Sequence, residues 1–402
     1  MNHEDIKNEI KKITKSIFKE VVTIRRWLHK NPELSFEELE TSKYICSVLK
    51  KHNIDFISNF GGYGVVGLIK CQSPNSKVIG IRADIDALPI QEKNNVSYKS
   101  INDGVMHACG HDVHTAIGLG VAIVLNKLKH KLKGTLKFIF QPAEEKLPGG
   151  ASIMIKEGVL DNPKVDQMLA LHVFPEFEVG NVGFQAGKYM AACDELLVTI
   201  TGKGGHAALP EKVINPITLA ASMIVDLKKH IYNLSNGNNY VLEFGDFHAH
   251  GASNVIPEQA VLQGTLRTLD EDFRAKVHRA LLDYAHSMKK KSSASCDFQI
   301  KKGYPTLYNN LELTENCKKI SEYFLGPNVV HQLGIRMASE DFSYFSQKCP
   351  SCFFRLGVAN KKKKITHLVH TPYFNIDENS MELGVGLMSC LTVFNLLDLR
   401  IV

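Results

Sequence analysis

Along the first half of the chain, nearly unbroken apolar runs close on residues with acid–base or metal-binding chemistry. KVIGIRADID (77–86) ends in Asp84 and Asp86, TLKFIFQPAEE (135–145) in Glu144 and Glu145, and DQMLALHV (166–173) carries His172 at its close. Runs that stay apolar instead of alternating predict strands buried on both faces, hence a parallel sheet with helices between its strands. TAIGLGVAIVLNKLKHKLKG (115–134) reads as one such helix, opened by Asp112 or Thr115 and stopped at Gly134. Ligands of open α/β sheets bind at the carboxyl ends of strands. Three strands delivering reactive side chains at that end describe a single site.

From about residue 190 the period changes. DELLVTITGKGG alternates apolar and polar positions. A helix follows in INPITLAASMIVDLKKHI, then strands in NYVLEFGDFHAH and QAVLQGTLRT, a helix in DEDFRAKVHRALLDYAHSMKK and a strand in SCDFQIKKGY. The order β-α-β-β-α-β is that of the ferredoxin-like arrangement. Helical periodicity resumes after about residue 304, where the chain is expected to rejoin the first domain. The predicted fold is therefore α/β: a mostly parallel sheet flanked by helices, forming a catalytic domain (1–188 and 304–402), with an inserted ferredoxin-like α+β domain (189–303). A length of 402 residues favours two domains over one.

Composition narrows the function class without naming one. With 44% apolar and 22% charged residues the chain reads as globular. No apolar run approaches the ~20 residues a membrane span needs, and the charged N-terminus has no apolar core of a secretory signal. The expectation is a cytoplasmic protein with no membrane partner. Nine cysteines, an odd number, do not make a disulfide framework. The net charge of +6 is dispersed except at Lys361–Lys364, a short run without interleaved aromatics, which predicts a solvated loop and no nucleic-acid partner.

The segment MHACGHDVH (106–114) packs His107, Cys109, His111 and His114 into nine positions. Cys109 and His111 alone leave two readings open, metal ligands or a thiolate nucleophile with its histidine. Glu145 and His172, on other strand ends, tilt the balance, since thiolate, imidazole and carboxylate together suit zinc, manganese, nickel or cobalt. Neighbours on an extended chain point to opposite sides, so one of Glu144 and Glu145 is expected to bind metal and the other to act as a base. Asp86 is placed to orient a ligand histidine, and Asp84 to be structural. His107 and His114 are expected on the helix surface or behind the ligands. Near the C-terminus, HLVHTPYF offers His367 and His370, the latter just before Thr-Pro in a turn, a suitable place for a ligand from a distant segment. MASEDFSYF offers Glu340 and Asp341, which read equally as surface residues. Cys349 and Cys352 form a CxxC with no second pair and are expected to be free thiols.

LHKNPELSFEE, IRADIDALPIQE, MHACGHDVHTA, FIFQPAEE, GKGGHAALP, NVIPEQAVLQGTLRT, MASEDFSYF and HTPYFNIDE follow one another in this order. The chain resembles the metal-dependent amidohydrolases of the hippurate hydrolase, N-acyl-amino-acid amidohydrolase and N-acetyl-diaminopimelate deacetylase group, within the larger aminoacylase and carboxypeptidase G family. The resemblance runs from about residue 21 to 397. It implies two divalent metal ions (zinc, manganese, nickel or cobalt) held by Cys109, His111, Glu145, His172 and His370, with Cys109 bridging. It makes Glu144 the proton acceptor and Asp86 a second acidic active-site residue. In the inserted domain, His206 matches a histidine that serves the partner's active site in a homodimer, and Asn254 and Arg267 match residues that hold a substrate carboxylate. The implied reaction cleaves the amide bond of a small-molecule N-acyl-L-amino acid, acetyl or aromatic acyl. A metallo-dipeptidase or aminopeptidase, or N-acetyl-diaminopimelate deacetylation in lysine biosynthesis, is the alternative. Phe174, Tyr189, Cys193, His248 and His250 depart from the group's pattern near the expected acyl pocket or lid, which bears on substrate choice and not on chemistry.

Overall fold

The apolar runs of the first half become neighbours in one sheet of a computed structural model that describes residues 2–401. Its strands include β1 (Asp55–Phe60), β2 (Gly64–Lys70), β3 (Val78–Asp84), β4 (Thr135–Gln141), β5 (Gln167–Glu178) and β6 (Val182–Phe184). Across the sheet the order is β1-β2-β4-β3-β5, then strand Ser351–Ala359, β6 and strand Val330–Gln332. β4, β3, β5 and Ser351–Ala359 run parallel, while β1 and β2 add an antiparallel edge. Every residue of β3 and β4 is buried, as continuous apolar runs require.

Helices α1 (His3–Lys30), α2 (Leu39–Lys51) and α3 (His111–Leu128) belong to the same unit, which comprises Met1–Gly187, Tyr308–Gly334 and Asp341–Val402. On α1 the buried residues Ile6, Ile10, Ile17, Val21, Ile24 and Leu28 recur at helical spacing and make one stripe. Helix α3 is buried nearly all round, packed between the sheet and both α1 and helix Asn379–Leu396. It opens at His111, not at a capping Asp112 or Thr115. The residue before it, Gly110, has φ 85°, and a Cβ there would stand 2.6 Å from Val173 Cγ2, so only glycine fits. Asp112 does not cap because its carboxylate is bound elsewhere, by Arg25 and His29.

Two further local differences from the sequence pattern matter for the site. β5 does not stop after His172 but continues to Glu178, because strand Ser351–Ala359 pairs with it along that length. The chain after β4 is not extended: Ala143 has φ 51°, so Glu144 and Glu145 follow a left-handed turn.

The second unit comprises Lys188–Leu307 and Ile335–Glu340. Strands Ala192–Thr201, Tyr240–His248, Gln259–Thr268 and Ser295–Lys302 alternate with helices Pro216–Ser235 and Glu271–Ser292. The sheet is antiparallel, and Ala192–Thr201 is central, between Gln259–Thr268 and Ser295–Lys302. This is the ferredoxin-like order. One sheet face is covered by the helices through Met223, Leu227 and Ile231 on one and Phe273, Val277 and Leu281 on the other. Residues 335–340 join this unit although the sequence pattern runs them with the first. Their main chain binds it directly, since the Arg336 and Ala338 carbonyls both take the Ala191 N–H and the Met337 carbonyl accepts from Arg267. Among the described residues no helix is long and apolar enough to cross a membrane.

Asp194 anchors the second unit. Buried at 1% exposure, it accepts from Arg274 Nε at 2.9 Å and Gly303 N at 3.1 Å, and His278 Nε2 lies 2.6 Å away. Burial opposes its ionisation, but the Arg274 and His278 contacts outweigh that and hold the carboxyl at about 2. A depressed carboxyl contributes stability above its ordinary value near ~4 that is lost as pH falls through the folded value. We expect Asp194→Ala, which leaves the buried Arg274 with the partly exposed Glu271 as its remaining carboxylate partner among the described residues, to cost about 3 kcal/mol at pH 7. Denaturant melts of parent and variant should converge between about pH 4 and 2, and a constant difference across that range would refute the assignment.

Candidate metal centre

The carboxyl ends of β3 and β4 and the start of α3 meet at one place. The β3–β5 register pairs Arg82 with Ala170, which sets His172 abreast of Asp84. From there the loop 107–110 brings Cys109 Sγ to 3.4 Å from His172 Nε2 and 3.3 Å from His370 Nε2. His370 sits in a left-handed turn, φ 60°, tied down by its N–H to the Ala108 carbonyl at 2.8 Å, and its Nε2 is 3.2 Å from Glu145 Oε1.

Five of the residues singled out as ligands thus converge. Cys109, His111 and His172 each place a donor atom within 4.8 Å of the others, and Cys109, Glu145 and His370 do the same. Cys109 belongs to both triplets. His111 Nε2 and Glu145 Oε1 are buried atoms without a hydrogen-bond partner among the described residues. Such orphans are rare unless an ion or water takes them, and a thiolate, imidazoles and a carboxylate make a donor set suited to a borderline transition metal. The residues present fit divalent cations.

Hydrogen bonds fix which nitrogen of each ring is bare. His172 Nδ1 lies 2.7 Å from the Val173 carbonyl, an acceptor only, so Nδ1 carries the proton and Nε2 faces Cys109. His111 Nδ1 lies 3.1 Å from Asp86 Oδ1, which turns its Nε2 toward Glu145, 3.9 Å away. Asp86 therefore fixes the orientation of the His111 ring. Its other oxygen accepts from Ser35 Oγ at 2.6 Å and from Glu145 N at 3.0 Å.

Glu144 and Glu145 do not diverge. With His111 they form a third group whose donor atoms lie within 4.8 Å of one another. The left-handed turn at Ala143 removes the alternation that an extended chain would impose, so both carboxylates face the same space. The Asp341 N–H sits 3.4 Å from Glu144 Oε1.

The charges are unbalanced toward carboxylate. Burial and then the charges of Glu145 and Glu144 push the Cys109 thiol well above its ordinary value. A reactive thiolate nucleophile needs the opposite environment, so the cysteine-hydrolase reading loses its support. Burial opposes protonation of His111, yet the carboxylates of Asp84 and Asp86 raise it to about 10. Burial and the Arg355 guanidinium keep His172 well below the ordinary imidazole range.

Residues 80–392 match the profile described as Peptidase family M20/M25/M40. The chain belongs to that family. Among M20 relatives it is 36% identical to the N-acetylcysteine deacetylase of Bacillus subtilis, over 91% of this chain and 94% of that one. It is 36% identical to thermostable carboxypeptidase 2 of Saccharolobus solfataricus, over 95% of each. A solved Bacillus subtilis structure, YXEP, titled a dinuclear metal binding peptidase from the M20 family, is 32% identical with a TM-score of 0.81, covering 95% of this chain and 99% of that one. The M20 chain described here is a hydrolase of the metal-dependent amidohydrolase kind.

The remaining candidates lie in the second unit or away from the cluster. His206 pairs with Val255 in a two-stranded ladder, and the Asn254 carbonyl accepts from Ala207 N, so these two are neighbours. Arg267, on strand Gln259–Thr268, donates to the Met337 carbonyl. Tyr189 is fully buried and Phe174 nearly so, while His248 is exposed and bound to Asp246 at 2.8 Å. Cys352 is buried, all nine cysteines are free, and Lys363 of the lysine run pairs with Asp377.

Several residues at the centre had no role, or a different place, in the sequence pattern. Asp341 is fully buried, not on the surface, and binds Arg82 and Gln141 Nε2. Ser35 and Glu38 lie in PELSFEE, a segment quoted for its likeness and assigned no task. His107 is buried with neither ring nitrogen partnered among the described residues, and burial pushes it down to about 4. His29, Glu92 and Arg25 form a buried chain to Asp112: His29 Nδ1 lies 2.7 Å from Asp112, His29 Nε2 3.1 Å from Glu92, and Arg25 Nε 2.8 Å from Asp112.

Glu38 generates a test. Fully buried, it accepts from Ala143 N at 2.8 Å with Oε1, while Oε2 has no partner among the described residues. Burial and then the Asp86 charge push it up to about 8. A carboxyl raised in the folded state contributes stability below its ordinary value of ~4.3 that is lost as pH rises through the folded value. In metal-free protein, Glu38→Gln should gain on the parent by about 1–3 kcal/mol as pH goes from about 5 to 8. Unfolding curves that stay parallel over that range would show Glu38 ionised throughout.

Proposed function

We propose that this M20 chain hydrolyses the amide bond of small N-acyl-L-amino acids with the help of two divalent ions, for which Cys109 would be a ligand. The observation that carries the reading is that Cys109 belongs to two donor triplets, one of which includes Glu145 of the acidic pair. Cys109, His111 and His172 would hold one ion, and Cys109, Glu145 and His370 the other. When bound, such ions polarise the amide carbonyl and lower the pKa of water toward ~7. Zinc, manganese, nickel and cobalt all accept this donor set.

The protein's own groups do the rest. Glu144, outside those two triplets, takes the proton of the attacking water and returns it to the leaving nitrogen. Asp86 keeps His111 in the tautomer that presents Nε2. Asn254 and the forked guanidinium of Arg267 hold the α-carboxylate, for which paired hydrogen bonds from arginine are suited. His206 of each protomer serves its partner's site, stabilising the oxyanion there as the tetrahedral centre forms, and the unit carrying it mediates a homodimer. The products are a carboxylic acid and a free amino acid. The deacetylase among the relatives supports the acyl-amino-acid reading, and the carboxypeptidase supports a peptide substrate as the second reading. Acyl pockets discriminate weakly, about 1–3 kcal/mol per methylene, so a broad acyl range is expected.

Chelated protein, reconstituted with manganese or zinc, should cleave one class within a panel of N-acetyl amino acids, N-acetyl-diaminopimelate, hippurate and dipeptides. Activity indifferent to chelation but abolished by alkylation would return Cys109 to the role of nucleophile. Glu144→Gln should lower kcat about 10²–10⁴-fold while two ions still bind. A metal-replete variant with parental kcat would remove Glu144 from the chemistry.

A further inference from the structure

Two aspartates end β3 and two histidines open α3, but only one of these carboxylate–histidine pairs is used by the reading above. The second is Asp84 with His114. His114 Nδ1 lies 2.5 Å from Asp84 Oδ1, and its Nε2 lies 2.9 Å from the Val173 N–H. A peptide N–H only donates, so Nε2 is the bare nitrogen and Nδ1 carries the proton given to Asp84. Both ring nitrogens are engaged. Although Asp84, His111 and His114 have metal-like spacing, His114 has no lone pair left for an ion.

What the pair holds is the strand that carries a ligand. β3 ends at Asp84, so past His172 no β3 main chain remains to take the Val173 N–H of β5, and the His114 ring takes it instead. The same residue, Val173, accepts from His172 Nδ1 with its carbonyl at 2.7 Å. The two imidazoles also lie against each other, centroids 4.6 Å apart. Asp84 is braced from behind by Arg82 Nη1 at 2.7 Å and through its carbonyl by Thr115 Oγ1 at 2.8 Å. Asp84, His114, Arg82 and Thr115 are all 2% exposed or less. With water excluded, each of these hydrogen bonds has one available partner and a fixed direction.

We propose that Asp84 and His114 are positioning residues for His172, acting through the main chain of Val173 and setting the direction of its Nε2. This rests on the reading of Cys109, His111 and His172 as one metal site. It assigns the pair to that site alone, because among the described residues the hydrogen-bond and ion-pair partners of Glu145 and His370 are Asp86, His111, Cys109, Ala108 and each other, and neither His114 nor Val173.

The test titrates metal-free protein with zinc by calorimetry and with cobalt by visible absorption, and follows hydrogen exchange of the Val173 amide without metal. His114→Leu removes the acceptor. His114→Gln restores it, since its amide oxygen can take the Val173 N–H while its NH₂ donates to Asp84. The parent is expected to bind two ions. His114→Leu should weaken one of them about 10–100-fold, as loss of a ligand's support does elsewhere, and leave the other unchanged. His114→Gln should return to within a few-fold of the parent, and the Val173 amide should exchange fast only in the leucine variant. Should His114→Leu fail to fold, Asp84→Asn, close to isosteric, is expected to weaken the same single site. Both ions bound at parental affinity, both weakened equally, or no rescue by glutamine would each overturn the proposal. A parent that binds no ion would overturn the metal reading instead, and Val173 exchange would still decide whether the pairing exists.

Discussion

The register between two short sequence intervals governs the centre of the first unit. Asp84 and Asp86, two residues apart at the end of β3, face His114 and His111, three residues apart on the first turn of α3. Residues two apart at a strand end share a side, and residues three apart on a helix share a face. The intervals match, so the strand end and the helix start are joined twice, and the tautomer of each ring is set in the same act. Cys109 lies on the short loop just before that helix and has little freedom left. The buried chain of Arg25, His29 and Glu92 grips Asp112 from the other side of the helix, so the loop is held from two directions by protein alone.

That arrangement concentrates negative charge. Asp84, Asp86, Glu144 and Glu145 crowd around a buried thiol and the buried rings of His111 and His172, and Arg82 offsets only part of it. Placing several carboxylates together in a low-dielectric interior is unfavourable unless positive charge joins them. The high proton affinity of His111 is the protein's internal answer, and divalent cations answer it more completely. The same surplus is the physical reason that the donor set selects ions over protons only once the ligands are deprotonated, which ties occupancy to pH.

The sequence carried much of this because period and residue type are local. Unbroken apolar runs announced the parallel sheet, alternation announced the ferredoxin-like unit, and soft donors at strand ends announced the site. What it did not carry depends on chain returning from far away. The acidic pair was expected to splay because an extended strand was assumed, and a single left-handed residue, Ala143, undid that. Ser35 and Glu38 reach Asp86 and Ala143 from a segment some fifty to a hundred residues away, and no periodicity marks them. Residues 335–340 cross to the second unit through main-chain hydrogen bonds, which side-chain patterns do not encode. His114 was legible as a histidine near ligands, but not as a substitute for a missing strand partner.

The elevated thiol of Cys109 has a meaning for the life of the protein outside its working state. Oxidation and alkylation proceed through the thiolate, and their rates follow its exposure. A sulfur at 7% exposure, ringed by carboxylates that disfavour its ionisation, is a poor target for both. A chain newly made, or stripped of its ions, is thereby kept chemically intact at its most vulnerable atom. The electrostatics that demand a metal also preserve the site until one arrives.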